Sequence, residues 1–296
     1  MQHGPLAPYL IVAPRGLPLP LVLSSPHSGV AYPEDMLAQS RLTQRQLRAL
    51  DDGPVDALLA AGCAAGATLI AATYPRAVVD LNRDATEQDP DSLADPERMP
   101  GLRVTARARA GLGVVPTRLL GQPIYAARLR ALEVHRRLVR AYQPYHAQLA
   151  ALAAERRCHN GVSLVLDCHS MPTVVSGRGE RAIDVALGDR FGRSCHQYLI
   201  EVAESVLAGA GLSVARNRPY AGGYITEHHG RPAAASHALQ LELRRGLFMQ
   251  ECTHEPNDGF DGLRALLGEL VRTLADATLE LATPEVAGRR AALRSA

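Results

Sequence analysis

Four short stretches of this 296-residue sequence carry side chains able to do chemistry together. Ser24 to Gly29 reads SSPHSG and sets His27 on a sharp turn. Asn82, Arg83 and Asp84 follow the apolar run AVVDL. SLVLD leads into Cys168, His169, Ser170, Met171 and Pro172, and ALQLEL carries Glu242 with Arg244 and Arg245 behind it. Each group ends an apolar run, and in an open α/β sheet ligands bind in the crevice beyond the carboxyl ends of the strands. Two imidazoles, a buried-strand carboxylate and an Asn-Arg pair are what a zinc-dependent amide hydrolase uses. A catalytic Zn2+ takes about three protein N/O ligands and leaves one position for a water whose pKa it lowers to near 7.

His27 and His169 are the first two ligand candidates. No HxxE pair names the third, because Val30 stands three residues after His27; Glu34, Asp51, Asp52 and Asp167 all offer a carboxylate. Asp52 ranks above Glu34: it opens DGPVDALL, where an Asp with Pro54 close behind it resembles a helix N-terminus aimed back at the sheet rim. Asp167 and His169 alternate onto one side of their strand, so Asp167 suits orienting the imidazole. Gln240, Glu242 and Arg244 face one way and Leu239, Leu241 and Leu243 the other. An ionised carboxylate in so apolar a strand is costly unless paired or used. Glu242 is therefore expected to be the general base for the metal-bound water and then the proton donor to the departing amine. Asn82 and Arg83 are expected to hold a substrate carboxylate, the guanidinium as a bidentate clamp. The adjacent Gly222 and Gly223 permit close backbone approach to a ligand. Arg216, Asn217 and Arg218, just before them, are candidates for a second carboxylate, with Arg216 and Arg218 unranked.

Plainer readings stand beside these. His27 in a Pro-His-Ser-Gly turn fits a cap or a carbonyl partner, and Arg83 fits a simple ion pair with Asp80 or Asp84. Cys168 adjoins His169, but neighbouring strand residues point to opposite faces, which makes it a small packing residue rather than a thiol nucleophile. Ser25 and Ser170 lack a G-x-S-x-G elbow. His228 and His229 read as exposed loop residues, and His135, His146, His159, His196 and His254 as surface or packing residues.

The elements that must position these groups are strands at about 19–23, 68–71, 77–81, 163–167, 183–187 and 238–243, with a further one at 212–215. Helices are expected over about 43–65, 123–157, 190–210 and 259–281, with Pro144 ending or kinking the second. This alternation predicts an α/β fold, a mostly parallel mixed sheet with helices on both faces, in one domain over 1–296. An irregular insertion at about 84–123 is long enough to cover a site.

Composition narrows the function. Lys+Arg 32 against Asp+Glu 30 leaves a net charge of +2, too small for a nucleic-acid partner. Every basic residue of those 32 is Arg, which excludes Schiff-base chemistry and a Lys-dependent phosphate loop. The five cysteines contain no C-x-x-C pair, no apolar stretch reaches the roughly 18 residues of a membrane span, and the first residues lack a signal-peptide pattern. A reducing, cytoplasmic setting without membrane association is expected.

The segments SPHSGVAYP, PRAVVDLNR, VLDCHSMP, RPYAGGYITEHHGRP and LQLELRR, in this order over most of the chain, resemble the N-formylglutamate amidohydrolases, or formylglutamate deformylases. That family is similar in fold to zinc carboxypeptidases and aspartoacylase. The resemblance implies metal at His27 and His169, substrate carboxylate at Asn82 and Arg83, and Glu242 as base. It implies hydrolysis of N-formyl-L-glutamate, a small dicarboxylate N-acyl amino acid, to formate and glutamate late in histidine degradation. Two positions depart from the family pattern: Gly53 stands where an aromatic often follows the Asp, and Phe248 where Tyr is common. The alternatives are a deacylase or carboxypeptidase-like hydrolase of another N-acyl amino acid, and a non-catalytic binding protein on the same fold. Retention of Glu242 and both His argues against the last.

Overall fold

The computed structural model of the chain describes residues 6–173 and 182–282. Its main sheet has seven strands in the order β1-β3-β2-β6-β9-β7-β8. These are β1 (Tyr9–Val12), β2 (Leu21–Ser25), β3 (Thr68–Ala72), β6 (Ser163–Met171), β7 (Val185–Gly188), β8 (Val214–Arg216) and β9 (Ser236–Arg244). Two further short strands, β4 (Arg118–Leu119) and β5 (Gln122–Pro123), form an antiparallel hairpin inside the insertion. β2 pairs in parallel with β6, β6 with β9 and β7 with β8, while β7 runs antiparallel to β9. Every residue of β2, β3, β6 and β7 is buried, as expected of strands that read as continuous apolar runs in a mostly parallel sheet.

The chain groups into two compact units. One comprises Met1–Leu10, Pro26–Asp52 and Ala71–Gln148; the other comprises Ile11–Ser25, Gly53–Ile70 and Leu149–Ala296. The second unit holds the five strands from β2 through β6–β9 whole. Its last helix, α10 (Phe260–Glu280), buries Leu263, Leu267, Leu270, Val271 and Leu274, a stripe at the three- and four-residue spacing of one helix face. That stripe packs on α8 (Gln197–Gly209), α4 (Ala60–Ala64), β2 and β6.

The first unit is less regular. It contains α1 (Glu34–Gln39), α2 (Gln44–Leu47), α5 (Ala106–Arg109) and α6 (Ala131–Arg137), which runs through a π-helical turn at Leu138–Tyr142 into α7 (Gln143–Asn160). Pro144 falls on the second residue of α7. The missing N–H and bulky ring of Pro are accommodated where the wider π turn resets the hydrogen-bond register, so the helix continues where an end or kink is expected.

Two other expectations are corrected. Ala77 to Leu81 is buried but is not a strand. Side chains satisfy its backbone instead: Tyr125 Oη bonds the carbonyl of Ala77 at 3.5 Å, Arg137 Nη1 that of Val78 at 3.3 Å, and His146 Nε2 that of Leu81 at 2.9 Å. A segment whose carbonyls are met this way needs no strand neighbour. The single helix expected over 43–65 divides into α2, a 3₁₀ turn at Arg48–Leu50, α3 (Val55–Leu58) and α4, because Pro54 disfavours helical backbone at the residue before it. His228 and His229, read as exposed loop residues, form the end of α9 (Tyr224–His229). His228 stacks on Tyr224 one turn earlier, with ring centroids 5.0 Å apart, and the next position turns His229 into the buried side.

Two stability measurements test this account. Tyr142 Oη donates to the carbonyl of Arg83 at 2.8 Å, so Tyr142→Phe is expected to lower the unfolding free energy in urea by about 1–3 kcal/mol, the cost of a buried group left unmade. His237, buried in β9 and facing His196, has its pKa lowered from 6.5 to about 4, by burial first and by His196 second. The folded state resists its protonation, so its contribution to stability is lost as pH falls from about 6.5 towards 4. Across that window wild type is expected to lose more stability than His237→Asn; parallel curves would refute it.

Candidate active site

In the first unit the turn after β2 carries His27 with both ring nitrogens against carboxylates. Nδ1 lies 3.2 Å from Asp52 Oδ2, and Nε2 lies 2.8 Å from Asp80 Oδ1. The backbone N–H of Asp52 bonds the carbonyl of His27 at 3.1 Å, which ties the two segments together. Burial alone would raise the pKa of Asp80, but Arg76, His27 and Arg83 together hold it well below the usual carboxylate range. Arg76 Nε donates to Asp80 Oδ2 at 2.8 Å, and the backbone N–H of Asn82 donates to Oδ1 at 2.9 Å. Asp80 is therefore a fixed anion that orients His27.

The Asn82-Arg83 segment is held from beneath by Tyr142 and His146. The Arg83 guanidinium is buried, with long ion pairs to Asp80 at 3.6 Å and Glu87 at 3.7 Å, and its Nε has no hydrogen-bond partner. The pairing with Asp80 read as the plainer alternative is thus present, though loose. Asp84 instead accepts the backbone N–H of Thr86 at 2.8 Å.

In the second unit the β2–β6–β9 register builds a polar layer on one face of an apolar sheet. Ser24 is aligned with Asp167, Asp167 with Gln240 and His169 with Glu242. Aligned residues of neighbouring strands share a face, as do residues two apart along a strand. Ser24 Oγ donates to Asp167 Oδ1 at 2.9 Å, and Asp167 Oδ2 lies 2.9 Å from His169 Nε2. Glu242, buried, has its Oε1 2.8 Å from Gln240 Nε2. Cys168 points to the opposite side, where burial first and Asp167 second push its thiol pKa well above 9.0; it is a packing residue.

One ligand atom from each of His27, Asp52 and His169 lies within 4.8 Å of the other two, and all three residues are buried. Such a group could hold a metal ion. Nε2 of His27 and Nε2 of His169 are each bonded to a buried carboxylate, an arrangement that fixes the tautomer of a metal-ligating imidazole. Two neutral imidazoles and a carboxylate suit zinc and other borderline divalent cations. Among the four carboxylates weighed for the third position, Asp52 is the one in this group. Asp51 accepts a bond from Tyr32 Oη at 2.7 Å and has its pKa raised to about 7, by burial above all. Asp167 stands behind His169, and Glu34 is an exposed first-turn residue of α1.

The candidates around β8 separate as well. Arg216 is bonded through Nε and Nη2 to Glu204 of α8, so its fork is occupied. Asn217, at φ 56, receives the backbone N–H groups of Asp189 and Phe191 at 3.2 and 3.3 Å and donates to Asp189 Oδ1 at 2.8 Å, which braces the turn after β7. Arg218 is exposed. Gly222 has φ +115 and an added Cβ there would sit 2.6 Å from Thr226 Oγ1; Gly223 donates its N–H to Gln240 Oε1 at 2.7 Å. Both glycines thus have local structural causes, and the Gly223 N–H already has an acceptor. The sequence names Asp80 as an ion-pair partner of Arg83, Ser24 as the start of the His27 turn and Gln240 as sharing a face with Glu242; their bonds to His27, Asp167 and Glu242 are seen only in the structure.

A family model described as N-formylglutamate amidohydrolase matches residues 19–249. The chain is 31% identical over 272 residues to an N-formylglutamate deformylase of Pseudomonas aeruginosa, covering 88% of this chain and 92% of that one. It is 32% identical over 238 residues to an N-formylglutamate deformylase of Pseudomonas putida, covering 79% and 83%. The crystal structure of N-formylglutamate amidohydrolase from Ralstonia eutropha JMP134 superposes with a TM-score of 0.86 at 38% identity, covering 92% of this chain and 98% of that one. A match over this much of the chain places it in a family: the protein belongs to the N-formylglutamate amidohydrolases.

Proposed function

We propose that this protein hydrolyses the amide bond of N-formyl-L-glutamate to formate and L-glutamate, with Zn2+ held by His27, Asp52 and His169. The observation that carries the reading is the buried His-Asp-His group, whose two imidazoles are each backed by a carboxylate. When bound there, a zinc ion supplies Lewis acidity, lowering the pKa of a water and polarising the formyl oxygen. The chain's own groups do the rest. Asp80 and Asp167, each against an Nε2, fix the tautomer and the orientation of the two imidazoles. Glu242 takes a proton from the attacking water onto its carboxylate and delivers it to the glutamate nitrogen as the C–N bond breaks.

Asn82 and Arg83 bind the substrate's α-carboxylate. Arg83 has only long ion pairs and a buried Nε without an acceptor, so an incoming carboxylate adds hydrogen bonds where none are short. With Arg216 committed to Glu204, Arg218 is assigned the second carboxylate of the substrate. The same reading puts the enzyme late in histidine degradation, in the cytoplasm. Five free cysteines and the lack, among the described residues, of a helix long and apolar enough to cross a membrane support that location.

Four outcomes test this function. Purified enzyme should release formate from N-formylglutamate far faster than it releases acetate from N-acetylglutamate; turnover of another amide but not this one overturns the substrate assignment. Asp167→Asn should weaken zinc retention about 10–100-fold, read as metal content after dialysis against a chelator. Glu242→Gln should keep metal while turnover falls by several decades, whereas Arg218→Ala should raise KM about tenfold or more with a smaller change in kcat. A mild effect of Glu242→Gln removes it as the base.

A further inference from the structure

Gln240 is a buried polar side chain in β9, and neither the catalytic nor the metal-binding reading uses it. Its two ends are both engaged. Oε1 accepts the backbone N–H of Gly223 at 2.7 Å, and Nε2 lies 2.8 Å from Glu242 Oε1. The backbone N–H is an obligatory donor, so the oxygen end of the amide must face it. The nitrogen end therefore donates to Glu242. A donor of this kind pins one oxygen of the carboxylate and so fixes the direction in which the side chain points.

A close backbone approach makes this geometry possible. Gln240 is aligned with Gly188 of β7, and a Cβ on Gly188 would sit 2.6 Å from the nitrogen of Gly222. Only a residue without a side chain lets the Gly222-Gly223 turn come close enough for Gly223 to bond the Gln240 amide. Ordinary structural glutamines at a sheet would be satisfied by the turn alone; this one joins the turn to the carboxylate.

We propose that Gln240 is the positioning residue of Glu242: bridging Gly223 and Glu242, it holds the carboxylate aimed in the proton-transfer step. The proposal rests on Glu242 being the base, as argued above. Gln240→Met removes both bonds at similar volume. Gln240→Glu keeps an acceptor for Gly223 but sets a second carboxyl group against Glu242 in place of the amide donor, so the two carboxyls compete for one proton. Both are expected to lower kcat on N-formylglutamate about 10–100-fold, the scale of a misaimed group, while KM changes less than about threefold and bound zinc is unchanged.

The deciding measurement is a double-mutant cycle of kcat with Glu242→Gln. A residue acting through Glu242 has nothing further to lose once that carboxylate is gone, so Gln240→Met in the Glu242→Gln background should leave the residual rate unchanged. A purely structural glutamine would lower the rate by the same factor in both backgrounds, and that result overturns the proposal. So does a Gln240→Met variant with wild-type kcat, which would show that Glu242 needs neither bond. Should Gln240→Met fail to fold, Gln240→Leu carries the same cycle. Near wild-type turnover in Glu242→Gln alone defeats the base assignment itself, which separates the two failures.

Discussion

Burying a carboxylate or an imidazole in an apolar sheet is unfavourable unless every such group meets a partner of matching polarity, and this cost shapes the candidate site. Asp80, Asp167 and Glu242 are all buried, and each is answered by donors that the backbone has placed within reach. The parallel register of β2, β6 and β9 does most of the placing in the second unit. By aligning Ser24 with Asp167, Asp167 with Gln240 and His169 with Glu242, it forms a polar layer two residues deep on one face, while the other face stays apolar. A slip of one residue in either pairing would turn every one of these groups into the wrong face. The same hydrogen bonds that hold the sheet therefore hold the spacing between the imidazole and the carboxylate.

In the first unit the corresponding work is done without a strand. The run from Ala77 to Arg83 is irregular, and its carbonyls are met by Tyr125, Arg137, Tyr142 and His146. Three of these come from the continuous α6–π–α7 helix, so one rigid element supports the segment that carries Asp80, Asn82 and Arg83. Rigid support of a loop by side-chain donors is a way to keep functional groups in place where the backbone has no ladder to join. It also explains why the segment is as buried and apolar as a strand.

Pairing of groups sorts the arginines in a chain that has no lysine. Arg216 and Arg244 face Glu204 and Asp184, and these pairs fasten the ends of β8 and β9. Arg76 fixes Asp80 at short range, whereas Arg83, beside it, has only long contacts and an Nε without an acceptor. Under the proposed function a substrate carboxylate would be met by the arginine whose own partners are weakest, and burial of that arginine would strengthen the interaction by excluding water.

Much of this was written in the sequence. Continuous apolar runs ending in His, Glu or Asn-Arg located β2, β6, β9 and the segment before Arg83, because burial on both faces selects an unbroken apolar run. The two-residue alternation in SLVLDCH and ALQLEL already put Asp167 with His169 and Gln240 with Glu242. Tertiary structure alone decided the rest. Ala77 to Leu81 has the composition of a strand, and only the side chains from a distant helix show why it is not one. Asp52 could be separated from Asp51 only when Tyr32 was seen to take one and His27 the other. Arg216 could be told from Arg218 only once Glu204 stood opposite the first. Local sequence sets which groups a segment carries and which face they share; which partner each group meets depends on residues tens of positions away, brought there by packing.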